Sequence, residues 1–278
     1  MTASALKLRQ TLVKDCIARS TCLKGVALER FSDFASSWAS SSINDYGAGD
    51  RKDDNQVLVP RGSYPGLVKH VAVWQDRPLW ANSLEISASV IDAELTQSET
   101  YPDEFFSGSY GDGYGGIALS RRGSLINGAE KKFPNTFKAL RSVAAAERVE
   151  GDDDRDDMVG ASRLAFFARQ KKSSHVELHS DHVNYLLTCH LGLRIPTDGE
   201  TALFFPRARA VINWKTYKLS NLIQTSFEHA AVNDSPTTDR VILYFDIWHP
   251  NLSGPERKAL RLFEELRHEL HNNEEYNP

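Results

Sequence analysis

Beyond Gly160 the chain breaks into short runs rich in Leu, Ile, Val, Phe and Tyr, separated by Gly, Asp, Asn and Pro. These runs are "SRLAFFAR" (162–169), "YLLTCHLGLRI" (185–195), "TALFF" (201–205), "LSNLIQ" (219–224) and "DRVILYFDIW" (239–248). Their side chains suit a pleated, half-buried surface. A strand buries a face only by joining and stacking sheets. About seven or eight such runs within roughly 90 residues predict a closed antiparallel sheet, either sandwich or barrel.

The flanks read differently. Apolar residues recur at helical spacing over 4–19 and 25–40, and 86–97 suits a further helix. "NTFKALRSVAAAERV" (135–149) is dense in Ala, Leu and charged helix formers. At the C-terminal end, Ser253 and Glu256 form a capping box ahead of an inner stripe of Leu260, Phe263 and Leu270. Residues 41–66 read as a loop and the acidic run 150–157 as a solvated turn. "GSYGDGYGG" has the spacing G-x-G-x-x-G at Gly111, Gly113 and Gly116. A dinucleotide site needs that motif between a strand and a helix. Here a strand or loop follows, so the run is read as a turn.

The totals exclude several functions. With 278 residues and a net charge of −4, no basic field recruits nucleic acid or an anionic membrane surface. No stretch approaches the roughly 18 apolar residues of a membrane span. An odd count of three cysteines (Cys16, Cys22, Cys189) argues against a disulfide framework and for a reducing compartment. Cytoplasm is the default expectation. The basic, hydroxyl-rich start "MTASALKLRQTLVKDCIARS" also suits a mitochondrial targeting segment, though it reads more readily as an amphipathic helix. Nothing in the chain speaks to oligomeric state.

Chemistry concentrates in "HSDHVNYLLTCHLGLRIP" (179–196). On an extended strand, residues i and i+2 share a face, so His179 and Asp181 point the same way. A non-haem ferrous oxygenase uses two histidines and one carboxylate on one face of the metal, leaving positions open. His229, at the start of another strand-like stretch, is the candidate third ligand. Arg240 opens the apolar run 240–248, where a buried cation needs an anionic partner such as a dicarboxylate. Other readings stay open. His175, His179 and Asp181 alternate onto one face and would suit zinc or a cupin-type hydrolase or isomerase, with His182 a further competitor. A metal-free β-sandwich binding module is the third possibility. His249 and His268 are read as structural.

The segments "HVELHSDHVNYLLTCHLGL" (175–193), "SFEHAAVND" (226–234) and "RVILYFDIWHPNLSGPERKAL" (240–260) resemble the aspartyl/asparaginyl β-hydroxylases, as does the upstream "LSRRGSLINGAEKKFPNTFKAL" (119–140). The resemblance covers roughly residues 100–265. It implies an α+β chain, mainly a β core: a double-stranded β-helix (jelly-roll or cupin-like) with N-terminal helices and a C-terminal helix. On that expectation a helical region, 1–99, packs on an oxygenase core, 100–278. The resemblance also implies iron(II), 2-oxoglutarate as co-substrate and dioxygen.

By the same resemblance His179 and His229 bind iron, while Arg240 and His190 contact 2-oxoglutarate. Two positions depart from the family. The protein-modifying members have Gly where this chain has Asp181, so the full triad here is similar to the small-molecule, proline-hydroxylase-like branch. The family's Arg two residues before His190 is Thr188 here, which makes Thr188 a further expected co-substrate contact. Iron halogenases of the superfamily replace the carboxylate with a small residue, so Asp181 favours hydroxylation, with desaturation or ring closure using the same ligands. The expected substrate is a small amino-acid-like or natural-product molecule. Arg194, Arg207, Arg209 and Trp214 are candidates to grip it, against a competing reading as surface charge and core packing. Hydroxylation of protein Asp or Asn side chains is the alternative.

Overall fold

The computed structural model of the chain describes residues 3–20, 24–40, 64–67, 71–98, 113–121, 124–152, 164–181 and 183–275. Three helices come first: α1 (Ala3–Arg19), α2 (Val26–Ser40) and α3 (Ala81–Ser98). Strands β1 (Tyr114–Arg121) and β2 (Ser124–Leu125) precede α4 (Ala129–Lys132) and α5 (Pro134–Ala146). Then come β3 (Leu164–Gln170), β4 (Ser174–His179), β5 (Leu186–Arg194), β6 (Thr201–Phe205), β7 (Ala210–Asn213), β8 (His229–Asn233) and β9 (Arg240–Trp248). Helix α6 (Gly254–Glu275) closes the order. The strands make two antiparallel sheets, ordered β2-β1-β3-β9-β5 and β4-β8-β6-β7.

Strand β9 explains the architecture. All nine of its residues are buried, because it is flanked by β3 and β5 and covered on both faces. Val241, Leu243, Phe245 and Ile247 meet Leu84, Ile91, Leu95 of α3 and Phe137, Leu140 of α5. The alternate residues Ile242 and Tyr244 join Phe166, Leu203, Phe205, Trp214 and Ala231 in the layer between the sheets. Burying each Leu or Phe contributes roughly 1.5–3 kcal/mol, so this doubly covered strand holds helices and both sheets together. A third apolar cluster joins α1, α2 and α6 to Tyr185, Leu186 and Trp248.

Several expectations meet their elements closely, while others shift. The helix expected over 86–97 starts at Ala81, because Leu84, Ala88, Ile91 and Leu95 form one buried stripe that overrides weak formers Asn82 and Ser83. "LSNLIQ" is not a separate strand; Leu219 and Ile223 make isolated bridges to Leu191 and Thr188 of β5. Strands β1 and β2 stand in a half of the chain read as largely helical. Gly116 of the glycine-rich run lies within β1, where an added Cβ would come 2.4 Å from the Phe166 ring. The glycine serves close packing. Residues 41–63 of the expected loop, 153–157 of the acidic run, Cys22 and His182 lie outside the described residues.

The capping box is present with altered donors: Glu256 Oε2 accepts from both the Ser253 backbone N–H (2.9 Å) and its hydroxyl (2.7 Å). Leu260 and Phe263 are fully buried, as the stripe requires; the side chain of Leu270 is outside the description. Another cap comes from a distant helix. The buried Glu94 carboxylate on α3 accepts from the backbone N–H groups of Asn135 (2.8 Å) and Thr136 (3.0 Å) at the start of α5. It satisfies donors that a helix start leaves open and opposes the helix dipole. Glu94→Ala is therefore expected to destabilise the fold by about 2 kcal/mol, read from urea unfolding midpoints.

Candidate metal centre and co-substrate pocket

Strand β4 ends at His179, so Asp181, expected on the same extended strand, lies instead in the link to β5. The β4–β8 ladder pairs His179 with His229, after a register shift between Val176 and His179. That pairing brings residues fifty positions apart side by side, their imidazole centroids 4.3 Å apart. Ligand atoms of His179, Asp181 and His229 all lie within 4.8 Å of one another.

Both imidazoles are oriented by the backbone. His179 Nδ1 lies 2.7 Å from the Glu177 carbonyl oxygen, and His229 Nδ1 lies 2.9 Å from that of Phe227. A carbonyl only accepts, so each Nδ1 carries a proton and Nε2 is the nitrogen left to bind a metal. Neutral imidazoles with a fixed tautomer and a carboxylate are the donor set that suits a divalent iron with open positions. His175 does not join them. It is exposed at the cavity rim and pairs with Glu177 at 2.8 Å.

The three groups face a cavity of about 1030 Å³ whose wall includes His190, Trp214, Arg240 and Tyr244. Arg240 is 2% exposed, and its Nε has no hydrogen-bond partner among the described residues. Its guanidinium stands 4.0 Å over the Trp214 ring. Burial pushes Arg240 down to about 10, because no carboxylate of the described residues compensates its charge.

His190, 6% exposed, accepts a hydrogen bond at Nδ1 from Trp214 Nε1 (3.2 Å). Indole N–H only donates, so His190 carries its proton on Nε2, which is buried and has no partner among the described residues. Burial, aided by nearby Arg240 and His229, lowers His190 well below its ordinary 6.5 and keeps the ring neutral. Its pKa is depressed on folding, so the unfolded chain takes up the proton first as acid is added. Stability is therefore expected to fall below about pH 6.5. Urea unfolding at about pH 7.5 and about pH 5.5 should show wild type losing on the order of 1 kcal/mol more than His190→Gln.

The remaining candidates are placed as follows. Thr188 does not line the cavity: it is fully buried behind the wall, donating to Asp246 Oδ1 at 2.9 Å, with Tyr244 and Thr225 hydroxyls 3.2 and 3.3 Å away. Arg194 is outside the cavity as well, because Asp92 and Thr96 of α3 engage its guanidinium at 2.7 and 2.8 Å. Arg207 is half exposed and pairs with Glu228 at 2.6 Å. Arg209 sits exposed in the β6–β7 turn with φ 51°. Of that group only Trp214 reaches the cavity, and it lies against Arg240 and His190 rather than at the rim. Tyr244 was legible as a wall residue, since it shares a strand face with Arg240 at i+4. Thr225 had no such signal, lying outside any regular element.

The family model for aspartyl/asparaginyl beta-hydroxylase matches residues 86–250. Aspartate beta-hydroxylase domain-containing protein 1 of Mus musculus is 32% identical over 138 residues, covering 47% of this chain and 32% of that protein. Human aspartyl/asparaginyl beta-hydroxylase is 33% identical over 89 residues, 31% of this chain and 11% of its own length. The chain thus spans less than a third of these relatives. Among solved structures, an oxidoreductase of the 2OG-Fe(II) oxygenase family from Burkholderia pseudomallei aligns with a TM-score of 0.41 at 14% identity, covering 68% of this chain and 97% of that one. With the family model matching well over half its length, this chain belongs to the aspartyl/asparaginyl β-hydroxylase family.

Proposed function

We propose that the protein is a non-haem iron(II), 2-oxoglutarate-dependent dioxygenase with a double-stranded β-helix core, hydroxylating a C–H bond of a small amino-acid-like substrate. One observation carries this reading: two buried donor atoms with no partner among the described residues, Arg240 Nε and His190 Nε2, belong to side chains lining the same cavity as His179, Asp181 and His229. A buried guanidinium with no counter-charge is costly unless a ligand supplies the anion. A dicarboxylate long enough to reach from Arg240 to the three ligand groups does so, and the family supplies its identity.

His179, Asp181 and His229 hold the metal, the two histidines through Nε2. A ferrous ion there, with 2-oxoglutarate and dioxygen, supplies the oxidising power for an unactivated C–H bond, releasing succinate and carbon dioxide. Arg240 binds the far carboxylate as a fixed fork, flattened against Trp214. His190 stays neutral and donates Nε2–H into the cavity at neutral pH. Phe166, Leu203 and Ala231 line the same cavity and exclude water from the reacting groups.

A second reading has support in the relatives' names: the substrate is an Asp or Asn side chain within a polypeptide. Aerobic incubation with iron(II) and 2-oxoglutarate decides between them. Succinate should form, and mass spectrometry should find one added oxygen on a free amino acid. Oxygen added only to Asp- or Asn-containing peptides would favour the second reading. Absence of iron-dependent succinate with either class would contradict both.

A further inference from the structure

Three successive backbone carbonyls, at Thr225, Ser226 and Phe227, each receive one hydrogen bond from the metal-ligand residues or their immediate neighbour. Asp181 N–H donates to Thr225 O at 2.9 Å, Ser180 Oγ donates to Ser226 O at 2.9 Å, and His229 Nδ1 donates to Phe227 O at 2.9 Å. Thr188 and Ile223 exchange both backbone bonds, at 2.8 and 2.9 Å, which fixes the segment to β5. Gln224 N–H donates to Ala72 O at 2.9 Å, and the Phe227 N–H closes a turn onto Gln224 O at 3.2 Å.

The ligand loop needs such a tether. The β4–β8 ladder loses register between Val176 and His179, and among the described residues β4 has β8 as its one neighbour in the sheet. Strand pairing therefore holds the His179–Asp181 stretch weakly. We propose that residues 225–227 form a backbone platform that sets the spacing of His179, Asp181 and His229, and that Ser180 is a positioning residue whose hydroxyl ties the ligand loop to it. The neighbours of Ser180 on either side, His179 and Asp181, line the cavity wall, and Ser180 is not part of that wall. Partners that orient metal ligands act on affinity and coordination geometry without touching the ion.

This inference rests on the metal-centre reading, and cobalt(II) titration of the full chain, followed by visible absorption, tests it without turnover. Ser180→Ala is expected to bind cobalt(II) on the order of tenfold more weakly than wild type, with a changed band and an unmoved thermal midpoint of the metal-free protein. Ser180→Thr, which keeps the donor, should restore affinity to within about twofold, and Ser180→Cys, a weaker donor, should fall between. That graded series keeps the test intact if the alanine variant does not fold. Equal affinity across wild type and variants would overturn the proposal, as would a lowered thermal midpoint with unchanged metal binding. A wild-type protein that binds no cobalt(II) would instead overturn the metal centre itself, and the platform with it.

Discussion

Replacing Arg240 by methionine is expected to weaken 2-oxoglutarate binding by roughly 10²–10³-fold and to raise the unfolding midpoint of the ligand-free protein. Both effects follow from one fact: the guanidinium is 2% exposed with no carboxylate among the described residues to offset it. In the ligand-free state it is a buried charge without a counter-ion, so a chain of similar volume and no charge relieves a cost. In the complex the same charge meets the co-substrate's far carboxylate, and breaking such a pair costs about 3–5 kcal/mol. Calorimetric titration of 2-oxoglutarate into the metal-loaded protein measures the loss, and thermal unfolding of the metal-free protein measures the gain. An Arg240 that merely held the fold together would show the opposite sign in the second experiment.

Asp181→Ala should lower turnover at least about a hundredfold, with a parallel loss of metal affinity, since it removes the sole carboxylate among the three described ligand groups. Family members with glycine at this position manage with two histidines by the resemblance described above, so the outcome is informative. Here both imidazoles are held by carbonyls, and the carboxylate is the one acidic group within the cluster. Turnover unchanged by the substitution would mean that His179 and His229 suffice, and the triad would fall.

Much of the site was legible because β-strand alternation converts sequence spacing into shared faces. His229 opens β8 and Arg240 opens β9, at the heads of the runs expected to be strands, whereas Asp181 lies in the link after β4 and reaches the cluster without sharing a strand with His179. The misses come from contacts between elements remote in sequence. Arg194 looked available near the site, but its strand neighbours α3, where Asp92 and Thr96 engage it across about a hundred positions. Thr188 lies on an inner face, yet Thr225 and Tyr244 pack in front of its hydroxyl. Thr225 to Phe227, whose carbonyl oxygens accept from Asp181, Ser180 and His229, have no side-chain pattern to reveal them. The start of β1 was obscured for another reason: its glycines suggested a turn ahead of a strand or loop, whereas Gly116 lies within the strand and makes room for Phe166.

Anaerobic addition of iron(II) followed by 2-oxoglutarate, monitored in the visible range, tests most directly whether His179, Asp181 and His229 share one ion beside Arg240. A charge-transfer band requiring both additions is expected in the wild type, with Arg240→Met needing far more 2-oxoglutarate to develop it. A folded wild-type protein that stays colourless at saturating iron(II) and 2-oxoglutarate would contradict it.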